Sequence, residues 1–146
     1  MKFSNTEEQD HEGRSQTLIG PPDAVSNIRP IKLAIKAEGI ESSSERRLRL
    51  LRAETQEFNQ EFWLRHNSTF ANSRQTFIKQ TLAEKYPDAE ADSEKRLSSD
   101  EMSEFYKSFL DDQWQKHRDY NFQWQKRNFA ILALGIRVKL ENLFKF

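Results

Sequence analysis

The sequence predicts an all-α fold: a long antiparallel helical hairpin with an extended N-terminal arm packed on it and a disordered N-terminal tail. Three observations predict it. Ser42 precedes Glu45, and Ser98 precedes Glu101, by the three residues of a capping box. After each box, apolar residues return every three or four positions over more than forty residues. Glycine and proline are absent from Ile40 to Tyr86, and from Ser98 to the end only Gly135 interrupts the run. Four glycines and four prolines in 146 residues are also too few for the many turns of an all-β chain.

Each element follows from its own residues. Residues 1–17 are polar and charged, with a single aromatic, and read as a disordered tail. The arm, 18–43, holds Pro21, Pro22 and Pro30, which forbid a long helix. The alternation in IRPIKLAIK fits one short strand, but a lone strand has no partner, so the arm is expected to lie extended against the helices. The first helix, 44–84, carries Leu48, Leu51, Thr55, Phe58, Phe62, His66 and Phe70 along one face, and Tyr86-Pro87 ends it. Residues 85–98 form an acidic, solvated loop. The second helix, 99–144, aligns Tyr106, Leu110, Gln113, His117, Tyr120, Trp124, Ile131 and Val138, with Phe105, Phe109 and Phe122 widening the apolar surface. Tail aside, 18–146 is a single helical domain.

Composition excludes several classes of chemistry. Without cysteine there are no disulfides, thiolate metal sites, iron–sulfur clusters or cysteine nucleophiles. No phosphate-binding glycine loop, HExxH helix or nucleophile elbow occurs, and the chain reads as non-enzymatic. Formal net charge is zero, which argues against a chain-wide attraction to nucleic acid, and none is expected as a partner. No apolar run reaches the roughly 18 residues of a membrane-spanning helix. The first sixteen residues show neither a secretory core nor an import presequence, so the chain is expected to be cytosolic or to lack its targeting segment.

The charge is unevenly placed. Residues 44–86 carry eight Lys and Arg against five Asp and Glu, and residues 105–146 carry eight against four; residues 87–104 carry two against seven. The helices are basic and their connection acidic. Sixteen of the seventeen aromatics lie in 58–146, more than a two-helix core hides, so some are expected to meet a partner. The expected partner-binding residues are Trp63, which lies off the main stripe, Trp114, Trp124 and the pair Lys126-Arg127, because aromatics and arginine dominate binding hot spots. His66 and His117 lie on separate helices that a hairpin can bring face to face, and His117 is the imidazole to consider as a haem ligand. No separate metal site is expected. Asp111-Asp112 and the glutamates at 54, 57 and 61 read as solvated faces with ion pairs. The stretch FAILALGIRVKLENLF, with Lys139 and Lys145, suggests peripheral contact with a membrane. A basic, aromatic-rich helical module binding RNA or a membrane surface is the alternative reading.

Longer strings carry a family likeness. IGPPDAVSNIRPIKL (19–33), LRLLRAETQEFNQEFWLRHNSTF (48–70) and EMSEFYKSFLDDQWQKHRDYNFQWQKRNFAI (101–131) strongly resemble the mitochondrial apoptogenic protein 1 family, also called cytochrome c oxidase assembly factor 8. The likeness runs in order from Leu18 through nearly the whole chain. It implies a factor on the matrix side of the mitochondrial inner membrane that supports assembly or stability of respiratory complex IV. It also implies a link to oxidative stress and to cytochrome c release in apoptosis. Complex IV subunits or assembly intermediates are then the expected partners. It implies no enzymatic activity. The import presequence of that family is not visible here.

Overall fold

The computed structural model describes residues 16–36, 40–87 and 96–144. The expected disordered tail, apart from residues 16 and 17, and most of the acidic loop lie outside the described residues. Two helices dominate, α1 (Ser43–Lys85) and α2 (Ser99–Leu143). At 1.5 Å per residue each is about 65 Å long. Both begin at the expected capping boxes. The Ser42 hydroxyl accepts from Glu45 N–H while the Glu45 carboxylate accepts from Ser42 N–H, and Ser98 and Glu101 repeat the exchange. Two otherwise orphaned donors are satisfied at each helix start.

The helices pack antiparallel along their length. Ser44 donates to Glu141 at one end, Trp63 meets Tyr120 near the middle, and Lys85 pairs with Glu101 at the other end. The core between them is thin. Leu48, Phe105, Phe109, Tyr120 and Val138 are its buried apolar residues, with Thr55 buried among them as its hydroxyl donates to Leu51 O. The inward face of α2 starts one residue earlier than the periodicity suggests. Phe105 and Phe109 turn inward onto Phe70, and Phe105 also meets Phe77, while Tyr106 and Leu110 are exposed. Phe105-Tyr106 and Phe109-Leu110 are adjacent apolar pairs, so spacing alone cannot choose between them; the rings of α1 do.

The arm also differs from expectation. Its strand has a partner, found within the arm itself: β1 (Leu18–Ile19) pairs antiparallel with β2 (Ile31–Lys32). Gly20 N–H donates to Pro30 O at 2.8 Å and Ala34 N–H to the Thr17 hydroxyl at 3.1 Å, extending the pairing on both sides. The turn between the strands is held by Asp23, whose Oδ1 accepts from the N–H groups of Val25 and Ser26 and from the Ser26 hydroxyl. Asn27 takes the left-handed conformation, φ 59°, that asparagine tolerates. This small ribbon is fixed to α1. Asn67 donates to Val25 O at 2.7 Å, and Gln56, with its amide turned to suit both groups, donates to Ile31 O and accepts from Ile31 N–H. Lys36 pairs with Glu45 at 2.7 Å and helps hold that carboxyl at about 2.

Candidate functional site

The chemically richest place in the molecule is midway along the hairpin. Phe58, Phe62, Trp63 and His66 project from successive turns of α1, and His117 and Tyr120 project from α2 to meet them. The i, i+4 and i, i+3 spacings on each helix put these rings on one face. Phe62 stacks on Tyr120 with ring centroids 3.8 Å apart, and Phe58 stacks on the same tyrosine at 5.6 Å. The Trp63 indole donates to the Tyr120 hydroxyl at 3.0 Å, and that hydroxyl donates in turn to Asn59 Oδ1. Burial raises the Tyr120 pKa, an effect partly offset by the Trp63 bond. The chain of donors therefore stays neutral and intact across the ordinary pH range.

His66 and His117 meet as the sequence suggested they could. Their Nε2 atoms are 3.3 Å apart, one donating and the other accepting according to tautomer. Burial, then the neighbouring His117 and Lys116, lower the His66 pKa. Phe62 and Phe109 wall the pair. Metal–imidazole bonds are about 2 Å, so two axial imidazoles on a haem sit about 4 Å apart on opposite faces of a wide macrocycle. The closed pair leaves no such gap, and it does not fit a haem held from both sides. Among the described residues no three His, Cys, Asp or Glu side chains gather to hold a metal ion.

The other expected site residues are placed differently from one another. Trp63 is half-buried, and its indole is committed to Tyr120. Arg127 is half-buried, with its guanidinium 4.6 Å from the Phe58 ring and its Nε buried without a hydrogen-bond partner. Trp124 is half-buried. Trp114 and Lys126 are exposed, and Arg118 lies over the Trp114 ring at 5.3 Å. The structure thus gathers Trp63 and His117 into one cluster and Arg127 at its edge, and leaves Trp114 and Lys126 outside it. Sequence reasoning missed the Trp63–Tyr120–Asn59 chain. Spacing did not announce it, because which side chains meet across the hairpin depends on how each helix is rotated about its own axis.

The comparisons with known proteins bear on the whole of this arrangement. The family model described as cytochrome c oxidase assembly factor 8 matches residues 16–144, which takes in the arm and both helices. The chain belongs to that family. It is similar to the cytochrome c oxidase assembly factor 8 of Bos taurus, 45 % identical over 128 residues, covering 86 % of this chain and 66 % of the relative. The Homo sapiens protein of the same name is 44 % identical, with 86 % and 61 % covered. A Caenorhabditis elegans protein named as a mitochondrial member of the family is 32 % identical over 127 residues, with 87 % and 84 % covered. The chain spans just under two thirds of the length of the mammalian relatives. No solved structure matches it.

Proposed function

We propose that this protein is a non-catalytic mitochondrial factor that supports the assembly or stability of cytochrome c oxidase, acting by binding on the matrix side of the inner membrane. The observation that carries this reading is the family match over 16–144, with relatives named for assembly of that enzyme. The geometry is consistent with a binding role. His66 and His117 meet each other, Tyr120 is bonded to Trp63 and Asn59, and Arg127 lies over Phe58, so these groups pack the hairpin together. On the outer surface of α2, Trp114 and Lys126 are exposed. The proposal extends to oxidative conditions, where damaged oxidase would need more support, and to the release of cytochrome c that follows its loss.

The test is removal of the gene followed by measurement of complex IV activity and of its abundance on native gels, at rest and under peroxide. Loss of complex IV with the other respiratory complexes retained is the expected result. Normal complex IV under both conditions overturns the reading.

A further inference from the structure

The two imidazoles at the middle of the hairpin are held in place by the rings around them. Phe62 stacks on His66 with planes 3° apart and meets His117 edge-on. Trp63 stands against both, with ring centroids 5.6 and 5.8 Å away, and Phe109 closes on His66 at 5.6 Å. Each of those walls is itself fixed. Phe62 is stacked on Tyr120, the Trp63 indole is bonded to the Tyr120 hydroxyl, and Phe109 is buried. Two ligand-type side chains, 51 residues apart in sequence, are thus brought together from separate helices. Both are half-buried, so part of each stays open to solvent.

Their separation selects a geometry. A zinc-type ion bonds imidazole nitrogen at about 2 Å. Two such nitrogens lie about 2.8 Å apart at neighbouring corners of a square plane, about 3.3 Å apart along the edge of a tetrahedron, and about 4 Å apart across a linear or axial pair. The Nε2 atoms of His66 and His117 are 3.3 Å apart. An ion taking the tetrahedral edge reaches both without movement of the helices. A square-planar ion would require them to close, and the axial pair of a haem requires them to open. The protons are compatible with this. Burial, then His117 and Lys116, lower the His66 pKa, which keeps that ring mostly neutral at pH 7. When the rings bond to each other, one carries its proton on Nε2. When both bind an ion, that proton sits on Nδ1, the other neutral tautomer, and a neutral pair loses no proton to the solution. The torsion that turns a histidine ring has broad minima, so both lone pairs can be aimed at one point at low cost.

The rest of the coordination sphere must come from elsewhere. The chain has no cysteine, and among the described residues no third His, Asp or Glu gathers with these two. The protein then fills two corners of the tetrahedron and leaves two for water or for side chains of a partner. Structural zinc sites have four protein ligands and catalytic ones three. A pair of ligands makes a site that takes an ion up and gives it up again. We propose that His66 and His117 bind a tetrahedral divalent ion of the zinc type through their Nε2 atoms, in place of the bond between the imidazoles, with exchangeable ligands at the two outer corners. The ligands come from both helices, so the bound ion also clamps α1 to α2 and stabilises the fold. The inference goes beyond the assembly reading and does not rest on it.

Zinc and cobalt(II), each added to the purified full chain in a buffer that does not chelate them, test it. Half the ligand set of a structural zinc site gives an expected dissociation constant on the order of 10 µM. Cobalt(II) in the same place shows the intense visible bands of a tetrahedral ion rather than the faint bands of an octahedral one. In NMR spectra of the parent, zinc shifts the ring signals of His66 and His117 and not those of the third histidine, His11. Losing a ligand costs at least as much as losing a ligand's support, so H66Q and H117Q each weaken zinc binding by roughly tenfold or more. Saturating zinc raises the thermal midpoint of the parent and of neither variant. Zinc that shifts only His11, cobalt bound with octahedral bands, or affinity unchanged in both variants overturns the proposal. So does a parent chain with no saturable binding up to about 1 mM zinc. The parent spectra need no substitution, and they decide the matter even where a variant fails to fold.

Discussion

The Tyr120 hydroxyl is both acceptor and donor in one place, taking the Trp63 indole N–H and giving its own proton to Asn59. Tyr120→Phe keeps the ring stack with Phe62 but leaves the other two groups without their partner in a partly buried site. A cost of about 1–3 kcal/mol is expected, read as a lower urea midpoint with unchanged slope. His66 gives a second residue-level expectation, through pH. Its folded pKa is depressed, chiefly by burial, while in the unfolded chain it titrates near the ordinary histidine value. In the window between the two, the unfolded state binds more protons, so stability rises with pH there and is lost as pH falls. Thermal midpoints measured between about pH 5 and 7 should therefore slope upward in the parent and flatten in His66→Gln. The residue types of this cluster were legible in the sequence, and so was the meeting of His66 with His117, because a hairpin leaves few other arrangements. The hydroxyl chain was not, since hydrogen-bond partners depend on a rotation between helices that spacing does not set.

At the scale of elements, both helix starts were legible to within a residue, because a capping box is a local device whose partners are three residues apart. Ser42→Ala removes the acceptor for Glu45 N–H and should destabilise the protein by about 1 kcal/mol. Gly135 predicts the opposite sign. A Cβ built there meets nothing within 4 Å, and the position is interior to α2. Gly135→Ala should stabilise by about 1 kcal/mol, because alanine restricts the unfolded chain and favours the helix. Chemical denaturation of the two single variants and their combination tests both; the sites are near opposite ends of the sequence, but both lie at the Ser44–Glu141 end of the hairpin. The arm was less legible. Two-residue strands carry too little periodic signal to announce a pairing, and the turn that makes them meet depends on one aspartate side chain capturing three donors. The inward face of α2 was misplaced by one residue at its start for a related reason: where apolar residues come in adjacent pairs, only the opposing helix decides which one turns in.

For the whole molecule, a two-helix core has an inside that sets how much folded protein exists and an outside that sets what the protein touches. Among the described residues none is below 2 % exposed, so stability rests on a few interlocked rings rather than on a deep interior. Variants of those rings and variants of the outer face should then separate in cells. Trp63→Ala removes half-buried ring area and the donor to Tyr120 together, a loss of several kcal/mol for a buried aromatic of this kind. A change of that size lowers the steady-state amount of a marginally stable chain, because the unfolded fraction is degraded. Complex IV in rescued knockout cells should fall in proportion to the amount of factor present. Trp114→Ala, or Phe129→Ser with Ile136→Ser, changes outward-facing residues and should leave the amount of factor near that of the parent while complex IV still falls. Immunoblot of the factor set against complex IV activity in the same cells reads both quantities. Points for the core variants lying on one line through the parent, with the face variants below it, support a factor that works through its outer surface. Face variants on the same line as core variants would mean that the exposed residues matter only for folding, and the contact surface would have to be sought elsewhere on the hairpin.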